Sequence, residues 1–198
     1  MPNSTDGRDT ARLRILDAVF RLVERNGVAE ASLRKVAAES GINIGSVRHY
    51  FGSHEALMAA AATEIGARMD RRADPASMRP VRPGDTAGRR ALLQQVADSV
   101  LPAEPEGGTE LLVLGEFVAA ARIRPEFRPL AERMGRDLRA LVRDALRLAG
   151  VPDTEVQTEH FVGLLIGLSF ELVYPHGSTG SPAPRDVVRH HIAALVPG

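Results

Sequence analysis

Gly41 divides residues 31–54 into two short helical segments, and no other feature constrains the fold as tightly. Upstream runs Ala31-Ser-Leu-Arg-Lys-Val-Ala-Ala-Glu-Ser40, and downstream runs Ile42-Asn-Ile-Gly-Ser-Val-Arg-His-Tyr-Phe51. Glycine supplies the sharp turn because it accepts positive φ without steric cost. Ser32 is placed to cap a helix over 33–39, with Val36 and Ala37 facing inward. Asn43 is placed to cap a second helix over 44–50. Val47 and Phe51 share one face of that helix, four residues apart, and bury against a helix that precedes the pair. The preceding helix spans residues 10–26. There Ile15, Leu16, Val19, Leu22 and Val23 recur at helical spacing, Asp9 or Thr10 caps the start, and Gly27 ends it.

The opposite arc of the second short helix carries Gly45, Ser46, Arg48 and His49, with Ile44 and Tyr50 at its margins. A compact helix-turn-helix presenting this set is shaped to lie in a DNA major groove. Gly45 lets backbone approach a phosphate, and the helix N-terminus favours an anion. Ser46 and Tyr50 suit phosphate hydrogen bonds, which position a protein without reading sequence. Arg48 fits a bidentate contact to guanine O6 and N7, worth about 1–3 kcal/mol of discrimination, or a phosphate. Arg34 and Lys35 begin the first short helix where phosphates would pass, and Asn43 and His54 flank the reading segment. The competing interpretation is a solvated polar face on an ordinary helical hairpin. The register of hinge glycine and both caps favours DNA.

The remainder reads as helices broken by proline and glycine. Ser53 caps a long alanine-rich helix over 55–72. Residues 74–88, with three prolines and two glycines, read as a linker. Helices then follow over 89–101, 109–123, 126–149, 153–174 and 185–196, separated at Pro102 to Gly108, Pro125, Gly150 and Pro175 to Pro184. Strand signals are nearly absent. The expected fold is all-α: an N-terminal three-helix domain over residues 9–54, a connecting helix over 55–74 and a larger helical domain over 75–198. Residues 1–8 read as a polar tail.

Composition removes several alternatives. With no cysteine, disulfides, thiol nucleophiles and cysteine-ligated zinc are excluded. No apolar run is expected to approach the roughly 20 residues of a membrane span. No signal-peptide pattern opens the chain, and a cytoplasmic protein is expected. Net charge is zero, yet residues 1–54 carry eight basic and six acidic side chains, leaving seventeen and nineteen in the rest. There is no His-Glu-x-x-His pair, phosphate loop or Gly-x-Ser-x-Gly elbow, so an enzyme, a cofactor and a metal site are not expected. His190 and His191 are adjacent and diverge by about 100° on a helix, which disfavours chelation of one metal.

Residues 10–58 resemble the N-terminal domain of the tetracycline-repressor (TetR) family of bacterial transcription factors. The resemblance rests on Ile15-Leu-Asp-Ala-Val-Phe-Arg-Leu, Gly27, Ser32-Leu-Arg-Lys-Val-Ala-Ala-Glu-Ser-Gly41 and Gly45-Ser-Val-Arg-His-Tyr-Phe-Gly-Ser-His-Glu-Ala-Leu57. It implies a homodimer that sets its reading helices into the two halves of a palindromic operator, roughly 34–36 Å apart. It also implies a C-terminal domain that binds a small effector and dimerises, with the 55–72 helix as the lever between the two functions. Arg48 departs from the tyrosine usual in the family, a position where the choline-responsive BetI-like branch tolerates change. His54 stands where lysine is favoured, and a neutral histidine weakens that phosphate contact.

Under the same resemblance, the effector is expected to meet Phe117, Ala121, Phe127, Met134, Phe161 and Phe170, with Glu116, Arg122 and His160 as polar anchors. Low aromatic content argues against a multidrug pocket built on stacking with cations. Phe161, Leu164, Leu165, Leu168, Leu172, Val188, Ile192 and Leu195 are expected to complete a four-helix bundle across a two-fold axis. Gly163 and Gly167 would let a second helix approach closely, whether inside one subunit or between two.

Overall fold

The computed structural model describes residues 4–72, 78, 81, 82, 84–101, 105–174 and 182–198. Among these residues it is helical throughout, with no strand. The helices are α1 (Ser4–Asn26), α2 (Leu33–Ser40), α3 (Ile44–Phe51), α4 (His54–Arg72), α5 (Thr86–Val100), α6 (Pro105–Ala120), α7 (Arg128–Leu148), α8 (Thr154–Val173) and α9 (Pro184–Leu195). Short 3-10 turns cover Val28–Glu30 and Pro125–Phe127. Two compact units result: residues up to Arg68 with Thr109–Glu132, and Met69–Gly108 with Arg133–Gly198.

In the first unit, α1 buries Ile15, Leu16, Val19, Leu22 and Val23, the five positions its spacing assigns inward. Val36 of α2, Val47 and Phe51 of α3, and Leu57, Met58 and Ile65 of α4 are buried as well, while Ala37 is only half-buried. Phe117 and Phe127 are fully enclosed in this unit and meet edge to face, with ring centres 5.0 Å apart. Polar ties fix α1 to α2: Arg14 Nη2 donates to the Ser40 carbonyl (3.1 Å). Arg21 and Arg25, one turn apart, both grip the Glu39 carboxylate (2.7 and 2.5 Å).

The second unit builds its core from Leu92, Leu93, Val96 and Ala97 of α5, Leu141, Val142, Ala145 and Leu146 of α7, Phe161, Val162 and Leu165 of α8, and Val188 and Ile192 of α9. Arg90 Nε donates to the Val196 carbonyl (3.0 Å), fastening the chain end to α5.

Helix starts differ from expectation more than helix ends. α1 begins at Ser4, so the tail read over residues 1–8 is helical from its fourth residue; residues 1–3 lie outside the described set. Gly7 lowers helix propensity in that stretch by about 1 kcal/mol without ending the helix. Helix α5 begins at Thr86, because Asp85 Oδ1 accepts the Gly88 N–H (2.8 Å). Proline opens α6, the second 3-10 turn and α9 (Pro105, Pro125, Pro184), positions where the sequence pattern predicts a break or loop. At a first helical position proline loses no hydrogen bond and its φ is already helical. Most of the linkers read over 74–88 and 175–184 lie outside the described residues.

One exclusion is corrected. Helix α8 is long and apolar enough to cross a membrane by length and composition alone, with mean hydropathy 1.2 over its best window, only 22% of which is buried. Alternation of Leu, Ile and Phe with Gly and Ser, neither strongly polar, keeps that mean high.

Candidate nucleic-acid interface

Local chemistry positions α3. Gly41 adopts φ +67°, the left-handed conformation that lets α2 end and the chain turn within two residues. Ser32 Oγ accepts the Lys35 N–H (3.4 Å) and Asn43 Oδ1 accepts the Ser46 N–H (2.8 Å), so both expected caps form. A cap of this kind contributes about 1 kcal/mol. Gly45 has a role beyond backbone access. A Cβ at that position would stand 3.2 Å from the Asn43 cap oxygen, so a larger residue would crowd the cap.

Capped in this way, α3 turns Val47 and Phe51 inward and leaves Ile44, Gly45, Arg48 and His49 exposed, with Ser46 and Tyr50 half-buried. Tyr50 lies edge-on to the His49 ring, 6.0 Å between centres. Arg48 has no hydrogen-bond or ion-pair partner among the described residues, and Arg34 is likewise exposed and unpaired. Two guanidinium groups near the start of α2 and the middle of α3 therefore stand ready for an outside anion.

Three candidates are committed within the unit. Asn43 spends its side-chain oxygen on the cap. Lys35 Nζ pairs with Glu30, whose pKa falls below the usual carboxylate range through that hydrogen bond and charge. His54 is half-buried, with Nε2 3.1 Å from the Ala31 carbonyl, so this ring nitrogen fastens the start of α4 to the segment before α2. A role in holding the domain together explains a histidine there better than a phosphate contact.

The residues that lock α1 were missed by sequence reasoning. Arg21 and Arg25 stand four apart, a spacing that places them on one helical face and could have announced a shared acidic partner. For Arg68 the spacing signals only Glu64, four residues earlier, and not Asp17 or Glu110. Its guanidinium reaches Asp17 (2.6 Å), Glu64 (3.1 Å) and Glu110 (3.8 Å) and lies 4.8 Å from the Phe20 ring centre. Burial opposes the charge on Arg68, and the hydrogen bonds to Asp17 and Glu64 more than offset it, raising its pKa. A cleft of about 200 Å³ opens beside this cluster, lined by Asp17, Phe20, Arg21, Ile65, Arg68, Thr109, Glu110 and Val113. None of the expected effector residues lines it.

Two profiles account for most of the chain. That of the bacterial regulatory proteins of the tetR family matches residues 15–61, and that of the tetracyclin repressor-like C-terminal domain matches residues 87–198. The chain belongs to the TetR family. It is therefore a helix-turn-helix DNA-binding regulator of transcription and not an enzyme. Over 200 residues it is 24% identical to the transcriptional regulator PksA of Bacillus subtilis, covering 98% of this chain and 94% of that protein. A transcriptional regulator from Rhodococcus sp. Rha1 shares the fold, with TM-score 0.77 at 21% identity over 93% of this chain and 95% of that one. The multidrug binding protein EbrR, solved with ethidium, aligns with TM-score 0.65 at 26% identity over 95% and 99% of the two chains.

The effector candidates of this TetR-family chain divide between the two compact units. Glu116, Phe117, Ala121, Arg122 and Phe127 belong to the first, and Met134, His160, Phe161 and Phe170 to the second. Phe117, Phe127 and Phe161 are wholly buried packing residues, whereas Arg122, His160 and Phe170 are exposed.

The dimer candidates need a correction. Phe161, Leu165, Val188 and Ile192 are already buried in the core of their own unit, which leaves them no exposed surface for a second copy; Leu164, Leu168 and Leu195 pack partly against that core. The face that α8 leaves open is rotated from the expected one. It carries Gly163, Ile166, Gly167 and Phe170, with Ile166 and Phe170 about half exposed (50% and 51%), whereas Leu172, exposed near the helix end, lies about 200° around from Phe170. Positions i, i+3, i+4 and i+7 share one helical face. A Cβ added at Gly163 or Gly167 would meet nothing within 4 Å, so no helix crossing among the described residues uses these glycines.

Proposed function

We propose that the protein acts as a homodimeric, effector-released repressor that binds a palindromic operator, with residues 9–54 reading DNA, 55–74 linking, and 75–198 serving dimerisation and effector binding. The observation that carries the dimer is the apolar, glycine-bearing face of α8. Two such faces pack across a two-fold axis with backbones close, and α9 completes a four-helix bundle. Glu155, Glu159, His160 and Glu171 on the same helix make a lipid environment costly, so a second copy suits this face better than a membrane. A cytoplasmic location follows from the operator as target.

A two-fold dimer presents two α3 helices, and a palindromic site mirrors that symmetry. Arg48 and Arg34 then supply the unpaired cations facing the duplex, while Ser46 and Tyr50 position α3. The ethidium complex of EbrR supports a small-molecule effector of this chain too. Such a ligand would favour a spacing of the reading helices that mismatches the groove, and a coupling of about 1–3 kcal/mol suffices to release many operators.

The test is a mobility-shift titration with the intergenic duplex upstream of the protein's own gene, at two salt concentrations, beside sedimentation of the free protein. The expected result is a dimer whose affinity falls steeply with salt. A monomer at working concentration, or binding indifferent to salt, would overturn the proposal.

A further inference from the structure

The start of α1 offers a charged surface that α3 alone does not account for. Arg12 places its guanidinium carbon 5.6 Å from the centre of the Phe51 ring. Phe51 closes the reading helix, and Arg48 stands three residues before it on an adjoining part of the helix surface. Helix α1 therefore meets the last turn of α3 at Arg12. Arg8 precedes Arg12 by four residues, on the same face of α1 and about 6 Å nearer its start. Helical side chains lean toward the N-terminus, so Arg8 extends outward from Arg12 and does not fold back over Phe51.

The arginines of α1 divide cleanly. Arg14, Arg21 and Arg25 are spent on Ser40 and Glu39 inside the unit. Arg8 is exposed and has no hydrogen-bond or ion-pair partner among the described residues. Its neighbour Asp9 projects about 100° around the helix from Arg8 but stands three residues before Arg12 on an adjoining part of the surface, so it offsets charge at Arg12 more than at Arg8.

We infer that the DNA interface runs from Arg48 across Arg12, braced on Phe51, to Arg8, which takes a backbone phosphate flanking the groove that α3 enters. The occupant is a duplex because this run of cations is continuous with the reading face, and DNA offers a charge about every 1.7 Å of its axis. Arg8 contributes affinity without reading sequence. This rests on the homodimeric operator-binding reading above.

The experiment measures binding against salt for the full chain and for Arg8→Ala, on the upstream intergenic duplex and on a scrambled duplex of equal length. With one Arg8 per subunit, the slope of log affinity against log salt should shrink by about 1.8 per dimer. The same reduction is expected on the scrambled duplex, and Arg8→Lys should restore the slope. An Arg8→Ala protein that binds with the unaltered slope would overturn the flank contact alone. If the unsubstituted protein bound neither duplex, the operator-binding reading would fall and this inference with it.

Discussion

Helices α3 and α8 each present a face that their own unit leaves uncovered, and the two faces differ in kind. Helix α3 buries Val47 and Phe51 and shows guanidinium, imidazole and hydroxyl groups. Helix α8 buries Thr158, Phe161, Val162 and Leu165 and shows Ile166, Phe170 and two glycines on one face. A charged face stays solvated until an anion displaces its counterions, so it binds reversibly and in proportion to phosphates met. An exposed apolar face is unfavourable in water at every moment and gains by being covered. A net charge of zero conceals this division: the zero is an average over surfaces suited to unlike partners.

The largest expected effect lies on the apolar side. Replacing Ile166 and Phe170 together by Glu sets two carboxylates on each side of the proposed seam. Sedimentation should show a monomer, and circular dichroism should show its helix content retained, since both side chains stand outside the unit's own core. Operator affinity should fall by about 10²–10⁴, the advantage lost when two linked half-site contacts become independent. A variant that remained dimeric would remove α8 from the seam and collapse the contrast between the two helices.

The next effect lies on the charged side. Arg48→Ala should cost about 1–3 kcal/mol of operator binding if the side chain reads a guanine. Titrating a set of single-base operator variants sharpens the comparison. A loss confined to one base pair assigns Arg48 to base reading, and a uniform loss assigns it to phosphate. Unchanged affinity on every duplex would end the account of α3.

These two faces were unequally legible in the sequence. Around α3, the determinants are local. Ser32, Gly41 and Asn43 act on residues within four positions of themselves, and Val47 and Phe51 declare their face by spacing. Each could be read without knowing what packs where. On α8, every residue from Phe161 to Phe170 is apolar or small, so over that stretch periodicity separates no inner face from an outer one. Which side is buried depends on where α5, α7 and α9 lie, and that is decided by contacts distant in sequence. The sequence pattern therefore puts the expected seam on Phe161 and Leu165, a rotation away from the open face. His54 and Lys35 show a related limit: their partners, Ala31 and Glu30, precede α2 and bend back onto it only in the folded chain.

The smallest effect distinguishes the units by acid. His191 on α9 is half-buried, its Nε2 enclosed without a hydrogen-bond partner among the described residues and its ring 5.3 Å from that of Phe161. Burial, followed by the nearby His160 and His190, lowers its pKa from the ordinary 6.5. Helix α5, which also packs on α9, brings Arg90, tied to Val196, and Asp98, 3.6 Å from Arg185. Neither supplies the ring with an acceptor. With the folded pKa depressed, the unfolded chain takes the proton first, so stability present above pH 6.5 declines as pH falls below it. In the reading unit the depressed group is the Glu39 carboxylate, held low by its hydrogen bonds to Arg21 and Arg25 against some desolvation. Its contribution is complete above the ordinary carboxylate value of 4.5 and is lost only below that. Hydrogen exchange followed from pH 7 to 5 should thus show α9 and its neighbours loosening while α1 and α2 hold. Because His191 remains partly exposed, the loss should be small. His191→Leu should flatten it. Equal loosening of both units in the parent protein, or an unaltered profile in the variant, would place the acid sensitivity elsewhere.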